Sequence, residues 1–280
     1  MKLYPINSGN FKLDGGAMFG VVPKVLWENS YPCVKDNLTY WAMRSMLIEI
    51  DEKKILIDNG IGNKQSKKFF SIYQVESENT LEKSFEKLGF SFDEITDVVL
   101  THLHFDHCGG TVKYDENKNL TLAFPNAKHW VSEKQWNLAN NPNDREKASF
   151  LKENFLAIEK FGKLNLIKKD TKIHKNIELR LFYGHTDGQI IPFIKNNDKT
   201  LVFMADLLAS TAHIPMPYIP SYDTKPLIVL EEKKKFFEEA ISNNYILFFQ
   251  HDLYKECCTL KNTKRGVREK DFFTLKSIFN

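Results

Sequence analysis

The chain has 280 residues, 42% hydrophobic and 27% charged, a balance that suits a globular protein with a large core and excludes long disorder. Lysine plus arginine (39) against aspartate plus glutamate (36) leaves a net charge of +3. That is too little to recruit nucleic acid or a membrane surface, so a small-molecule substrate is expected. At this length a single domain over 1–280 is the first expectation, and two packed halves would also fit.

The opening MKLYPINSGNFKLDGG lacks the apolar core of a signal peptide, and no window reaches about 18 uncharged apolar residues, so the default location is cytoplasmic. Strand-like runs follow at Ser45 to Ile50, at Lys54 to Ile57 before Asp58-Asn59-Gly60, and at Asp97 to Leu100. Leu81, Phe85 and Leu88 have helical spacing, and Gly89 sits where a helix end wants positive φ. Ser132 with Gln135 forms a capping-box start for a short helix through Ala139. Asp144 is expected to cap a longer helix that carries Phe150, Phe155, Ile158 and Phe161 and stops at Gly162.

Further strands are expected at Leu179 to Tyr183, Leu201 to Ala205 and Tyr245 to Phe249, with an amphipathic helix at Glu231 to Ser242 that turns Phe236, Phe237, Ala240 and Ile241 inward. The alternation makes the class α/β. The basic stretch Lys261 to Lys270 reads as solvated surface, and Cys33, Cys108, Cys257 and Cys258, with no CxxC spacing, read as reduced thiols.

Polar chemistry gathers at strand ends. Thr101-His102-Leu103-His104-Phe105-Asp106-His107 follows one strand, His185 a second, Asp206 a third and His251 a fourth. Three imidazoles in six positions would repel when protonated and would be costly to bury without partners, and a bound cation removes both problems. On an extended segment His102 and His104 point to one side and can meet one ion. Asp106 and His107, after a turn, face a second ion, with Asp206 the natural bridge, His185 completing the first position and His251 the second. His129 and His174 are expected to be structural.

The order H-x-H-x-D-H with Gly109-Gly110, then Gly184-His185-Thr186, Asp206 and His251, resembles the metallo-β-lactamase superfamily over essentially the whole chain. The resemblance implies a four-layer αβ/βα sandwich with metals at one edge of two facing sheets. It assigns His102, His104 and His185 to the first metal, Asp106, His107 and His251 to the second, Asp206 to both, and Asp58 to orienting the site. Two divalent ions are implied, zinc first, with manganese, iron or cobalt also suited to these ligands. Where many members read GHTPGH, this chain has Asp187, Gly188 and Gln189 after Thr186.

Two ions sharing a water make a hydroxide at neutral pH, so hydrolysis by a metal-bridging hydroxide is expected, with Asp106 passing its proton to the leaving group. The segments Leu13 to Trp27, MRSMLIE, ILIDNGIGNK and DLLASTAHIPMP resemble the N-acyl-homoserine lactonase and methyl-parathion-hydrolase-like branch, which includes quorum-quenching enzymes. Esters, lactones and aryl phosphotriesters are the implied substrates. His213 resembles a histidine of that branch and is expected either near the reaction or in a structural role, while Met18, Phe19 and Trp27 form either an apolar substrate wall or core. The branch's tyrosine three residues after the bridging aspartate is Ala209 here, with Tyr218, Tyr222 and His213 as candidate replacements.

Alternatives are a glyoxalase II-like thioester hydrolase, a nucleic-acid-processing enzyme, which would want a basic arm that is not seen, and a diiron redox protein, which would want a carboxylate at His104. The apolar N-terminal segment could support a homodimer.

Overall fold

A computed structural model describes residues 1–76 and 78–279. Its contacts cluster into two units, residues 1–11 with 43–169 and residues 12–42 with 170–279. No helix among the described residues is long and apolar enough to cross a membrane.

The first unit is built on residues 2–11 of strand β1 (Lys2–Asp14), residues 43–50 of β2 (Leu38–Ile50), β3 (Lys53–Ile57) and β4 (Asp97–Val99), a small hairpin of β5 (Val112–Tyr114) and β6 (Leu120–Leu122), then β7 (Lys128–Ser132) and β8 (Leu164–Ile167). The main sheet runs β1-β2-β3-β4-β7-β8. From β3 to β8 every pair is parallel, with Leu56 opposite Val98 and Val98 opposite His129. Every residue of β4 is buried, as expected where a parallel sheet is covered on both faces. Leu47, Leu56, Val98, Phe85, Phe124 and Phe155 share one core. Because β3 and β4 are parallel, the residues after them, Asp58 and His102, leave the sheet at the same edge.

The second unit carries β9 (Thr171–His174), β10 (Ile177–Phe182), β11 (Gln189–Asn196), β12 (Lys199–Phe203), β13 (Ile246–Phe248), β14 (Cys257–Thr263) and β15 (Gly266–Phe273), which run spatially in sequence order. All pairs are antiparallel except β12 with β13, which are parallel and joined by the crossover helix Pro226–Ser242. Since β11 opposes both β10 and β12, strands β10, β12 and β13 point the same way. The residues that follow their ends, His185, Asp206 and His251, therefore emerge at one edge.

Most expected elements are present. Thr80 accepts the Lys83 amide to start the helix Leu81–Leu88, and Gly89 ends it at φ 74°. Ser132 caps Glu133–Asn140 by accepting the Gln135 amide. The cysteines are free, with Cys108, Cys257 and Cys258 buried. One expectation is overturned: no long helix starts at Asp144. Asn143, one residue earlier, accepts the amides of Arg145 and Glu146 at 3.0 Å each, and Asp144 pairs with Lys147 instead. The Ser149 carbonyl is taken by the Phe105 amide, so helical bonding cannot propagate, and only Leu156–Lys160 is α-helical.

The last large helix also departs from expectation. It begins at Pro226, where the missing N–H costs nothing, and its buried face is Val229, Lys233, Phe236, Phe237 and Ala240, while Ile241 is only half-buried.

Candidate metal centre

In the first unit, the turn after β4 packs three imidazoles together. The His102 ring centroid lies 4.5 Å from that of His104 and 3.9 Å from that of His107, and all three side chains are buried. The glycines after the motif make this turn possible. A Cβ on Gly109 would stand 2.1 Å from the Ile61 carbonyl oxygen, and one on Gly110 would stand 2.4 Å from that of Asn59. The motif is thus pressed against the backbone that follows Asp58, and the Asn59 amide donates to the His107 carbonyl at 2.9 Å.

Asp58 organises the cluster as expected. It is fully buried and sits at φ 54°, an uncommon conformation for a residue with a Cβ. Its Oδ1 accepts the Thr101 amide at 2.8 Å, and its Oδ2 accepts the Thr101 hydroxyl at 2.7 Å and lies 3.0 Å from His107 Nδ1. With its proton given to Asp58, the Thr101 hydroxyl accepts from His102 Nδ1 at 3.1 Å. Both rings are therefore protonated on Nδ1, which leaves Nε2 deprotonated, the form a metal requires.

Asp106 Oδ2 is 3.6 Å from His107 Nε2. His104 packs on Phe150, and its Nε2 is 3.9 Å from Oε1 of Glu146, a buried carboxylate held by Asn143.

The second unit repeats the logic. Asp206 Oδ2 lies 3.2 Å from His185 Nε2, and Oδ1 lies 3.1 Å from His251 Nε2, so one carboxylate spans two imidazoles. His185 Nδ1 is 2.7 Å from Oδ1 of the buried Asp223, and His251 Nδ1 donates to the Ala42 carbonyl at 2.7 Å. Again Nε2 is the deprotonated nitrogen. Burial pushes the Asp223 carboxyl above its usual range, against the pull of His185. Gln189, where the superfamily often has histidine, uses Oε1 to accept the Asp206 amide at 3.0 Å.

Histidine and aspartate groups that could hold metal ions are thus present among the described residues. Imidazoles fixed in the Nε2-bare tautomer, each with an outer acceptor, together with a carboxylate offering both oxygens, are donors that fit divalent zinc-like ions.

His213 is placed differently from the ligands. It is buried, its Nε2 donates to the Met18 carbonyl at 2.9 Å, and its Nδ1 accepts from Ser210 Oγ at 2.8 Å, so both nitrogens are spent on the protein. Burial pushes its pKa down to about 4. The ring stacks on Phe19 at 4.9 Å with 1° between planes, and Phe19 stacks on Trp27 at 4.8 Å. Met18, Phe19 and Trp27 are at most 4% exposed, which favours the core reading for them. His129 is a buried strand residue, also with its pKa pushed down to about 4 by burial. Sequence reasoning did not find Glu146, Asp223 or Lys233, because a lone acidic or basic residue in a turn or on a helix carries no spacing signal.

The fold and the site have known counterparts. Residues 44–251 match the family described as the metallo-beta-lactamase superfamily. The N-acyl homoserine lactonase AiiA of Bacillus thuringiensis subsp. kurstaki is 23% identical over 265 residues, covering 91% of this chain and 94% of that protein. A Staphylococcus aureus protein described as a probable metal-dependent hydrolase superposes with a TM-score of 0.89 at 29% identity, covering 97% and 96% of the two chains. AidC, a dizinc quorum-quenching lactonase, shares the fold with a TM-score of 0.78 at 24% identity, covering 97% and 95%. With the matched region spanning most of its length, the chain belongs to the metallo-beta-lactamase superfamily.

Proposed function

We propose that the two ligand groups serve one binuclear centre in a single functional domain, and that the protein is a metal-dependent hydrolase of small-molecule esters or lactones. His102, His104 and His185 would hold one ion, Asp106, His107 and His251 the other, with Asp206 shared by both. The observation that carries this reading is Asp206, whose two oxygens each address a different imidazole Nε2, the arrangement a bridging carboxylate needs. Zinc is the first choice for so many nitrogen donors, and a dizinc lactonase among the fold's neighbours supports it. When bound, two such ions supply an acidified water and positive charge for a developing oxyanion.

The chain's own residues do the rest. Asp58, Asp223 and the Ala42 carbonyl hold three imidazoles in one tautomer and one orientation, so no reorganisation is needed when charge develops. Asp106, partly accessible at 14% of its side chain, is the group placed to take a proton from the attacking water and return it to the leaving oxygen. Lactonases among the relatives support a lactone or ester substrate, with acyl-homoserine lactones and aryl phosphotriesters as the specific candidates. Ala209 is buried and offers no hydroxyl, and both His213 nitrogens are engaged, which leaves Tyr218 and Tyr222 of the three candidate replacements as donors to a substrate carbonyl.

The test is a panel of acyl-homoserine lactones, aryl esters, thioesters and a paraoxon-like triester, run on the zinc-loaded wild type and on Asp206→Ala. The expected result is turnover of at least one lactone or ester that falls by about 1,000-fold or more in the variant. Equal turnover by both proteins would exclude the metal mechanism, and turnover of the thioester alone would move the assignment to the thioester hydrolases.

A further inference from the structure

Residues 213–220 read His-Ile-Pro-Met-Pro-Tyr-Ile-Pro, and Pro215, Pro217 and Pro220 remove three amide donors from this short stretch. A loop so poor in N–H groups cannot pair all of its own carbonyls, and buried carbonyls need partners. Among the loop's own amides, Ile214 reaches the Thr211 carbonyl at 3.1 Å and Tyr218 the Pro215 carbonyl at 3.0 Å. The remaining demand is met from the helix Pro226–Ser242 by one side chain. Lys233, 1% exposed, has its Nζ 2.7 Å from the His213 carbonyl oxygen, 3.1 Å from that of Pro215, 3.2 Å from that of Tyr218 and 3.4 Å from that of Met216. An ammonium has three protons, so four surrounding carbonyls saturate it, much as oxygen ligands saturate a bound cation.

The loop held in this way is itself locked to the N-terminal segment. His213 Nε2 donates to the Met18 carbonyl at 2.9 Å, and the Ser221 amide donates to that of Ala17 at 2.7 Å. Gly20, at φ 57°, lies so close that a Cβ there would stand 2.3 Å from the Ile219 carbonyl oxygen. Phe19 stacks between His213 and Trp27, and Trp41 lies 5.8 Å from the His213 ring. One buried cation therefore fixes a loop of 213–221, and that loop fixes residues 17–27.

We propose that Lys233 is a positioning residue that sets the shape of the 213–221 loop and of the 17–27 segment packed on it, and through that loop the placement of Tyr218, a candidate donor to the substrate. The part concerning substrate rests on the hydrolase reading above. Burial pushes the Lys233 pKa down to about 7, with the charge of Asp223 pulling the other way.

The test uses the zinc-loaded full chain and Lys233→Met, which keeps the length of the side chain and removes all donors. With fluorotryptophan incorporated, the fluorine resonances of Trp27 and Trp41 should shift or broaden in the variant, while those of Trp130 and Trp136 should not move. KM for a long-acyl lactone or a bulky ester should rise about tenfold, with kcat within about twofold. Unshifted Trp27 and Trp41 resonances with unchanged KM, or a loss of kcat alone, would overturn the proposal.

If the variant does not fold, hydrogen exchange on the wild type decides. The amides of Ile214, Tyr218 and Ser221 should be protected well beyond the seconds typical of an open loop, and exchange within seconds would contradict the assignment. A wild type that hydrolyses nothing in the panel would remove the hydrolase reading, while the fluorine and exchange measurements would still decide the role of Lys233.

Discussion

Asp223 and Asp58 act on different histidines in the same manner, each accepting a hydrogen bond from Nδ1 and leaving Nε2 bare. Asp223→Asn keeps the shape and weakens the acceptor, so zinc affinity in a chelator competition should fall about 10- to 100-fold with the fold retained; an unchanged affinity would reduce Asp223 to a packing residue. His213 predicts a pH effect. Its pKa falls from an ordinary 6.5 to about 4 on burial, so the unfolded chain binds its proton first as pH drops. The stability from keeping this ring neutral is complete above about pH 6.5 and is lost progressively down to about 4, up to about 3 kcal/mol. Denaturant unfolding at pH 7 and pH 4.5 should show a smaller loss for His213→Gln than for the wild type, and parallel losses would refute the assignment. At this scale the candidate ligand groups were legible because a dense histidine run has few structural explanations, and Asp58 was legible through the superfamily resemblance. Asp223, Glu146 and Lys233 were not, since what defines them is a partner distant in sequence: Asp223 meets His185 across 38 positions.

Among the elements, those with local punctuation were readable. Thr80 and Gly89 bracket one helix, Ser132 opens another, and apolar runs ending in Asp58, Thr101 or Gly184 mark strands. The region after Asp144 was misleading because its apolar spacing is helical while its backbone is not. Phe150 and the Ser149 carbonyl are drawn to His104 and Phe105, and that tertiary demand overrides the pattern. The glycines after His107 give the element-scale prediction. Gly109→Ala places a methyl 2.1 Å from a carbonyl oxygen on a backbone that cannot yield like a flexible side chain. A loss of about 3 kcal/mol is expected, seen as a clear drop in melting temperature together with reduced zinc affinity, whereas Gly89→Ala, with open space around it, should leave zinc affinity untouched. Equal zinc binding by Gly109→Ala and the wild type would show that the motif does not depend on this close approach.

For the molecule as a whole, strand direction is what the sequence could suggest but not prove. Runs ending in His185, Asp206 and His251 supply one edge only if β10, β12 and β13 are co-directional, which depends on the antiparallel β11 between the first two and the parallel step between the last two. If the residues proposed above hold two ions, binding should stabilise the chain by mass action, by about 4 kcal/mol at a thousandfold excess over the dissociation constant. Chelation should accordingly lower the melting temperature of both units together, read from tryptophans 27 and 41 in one and 130 and 136 in the other. The central claim, a shared binuclear hydrolytic centre, is tested most directly by titrating zinc into chelator-stripped protein while following both bound metal and hydrolysis of the best substrate in the panel. The account predicts two ions per chain, with activity returning fully only as the second site fills, and no second equivalent bound by Asp206→Ala. Full activity in the stripped protein, or saturation at a single ion, would contradict it.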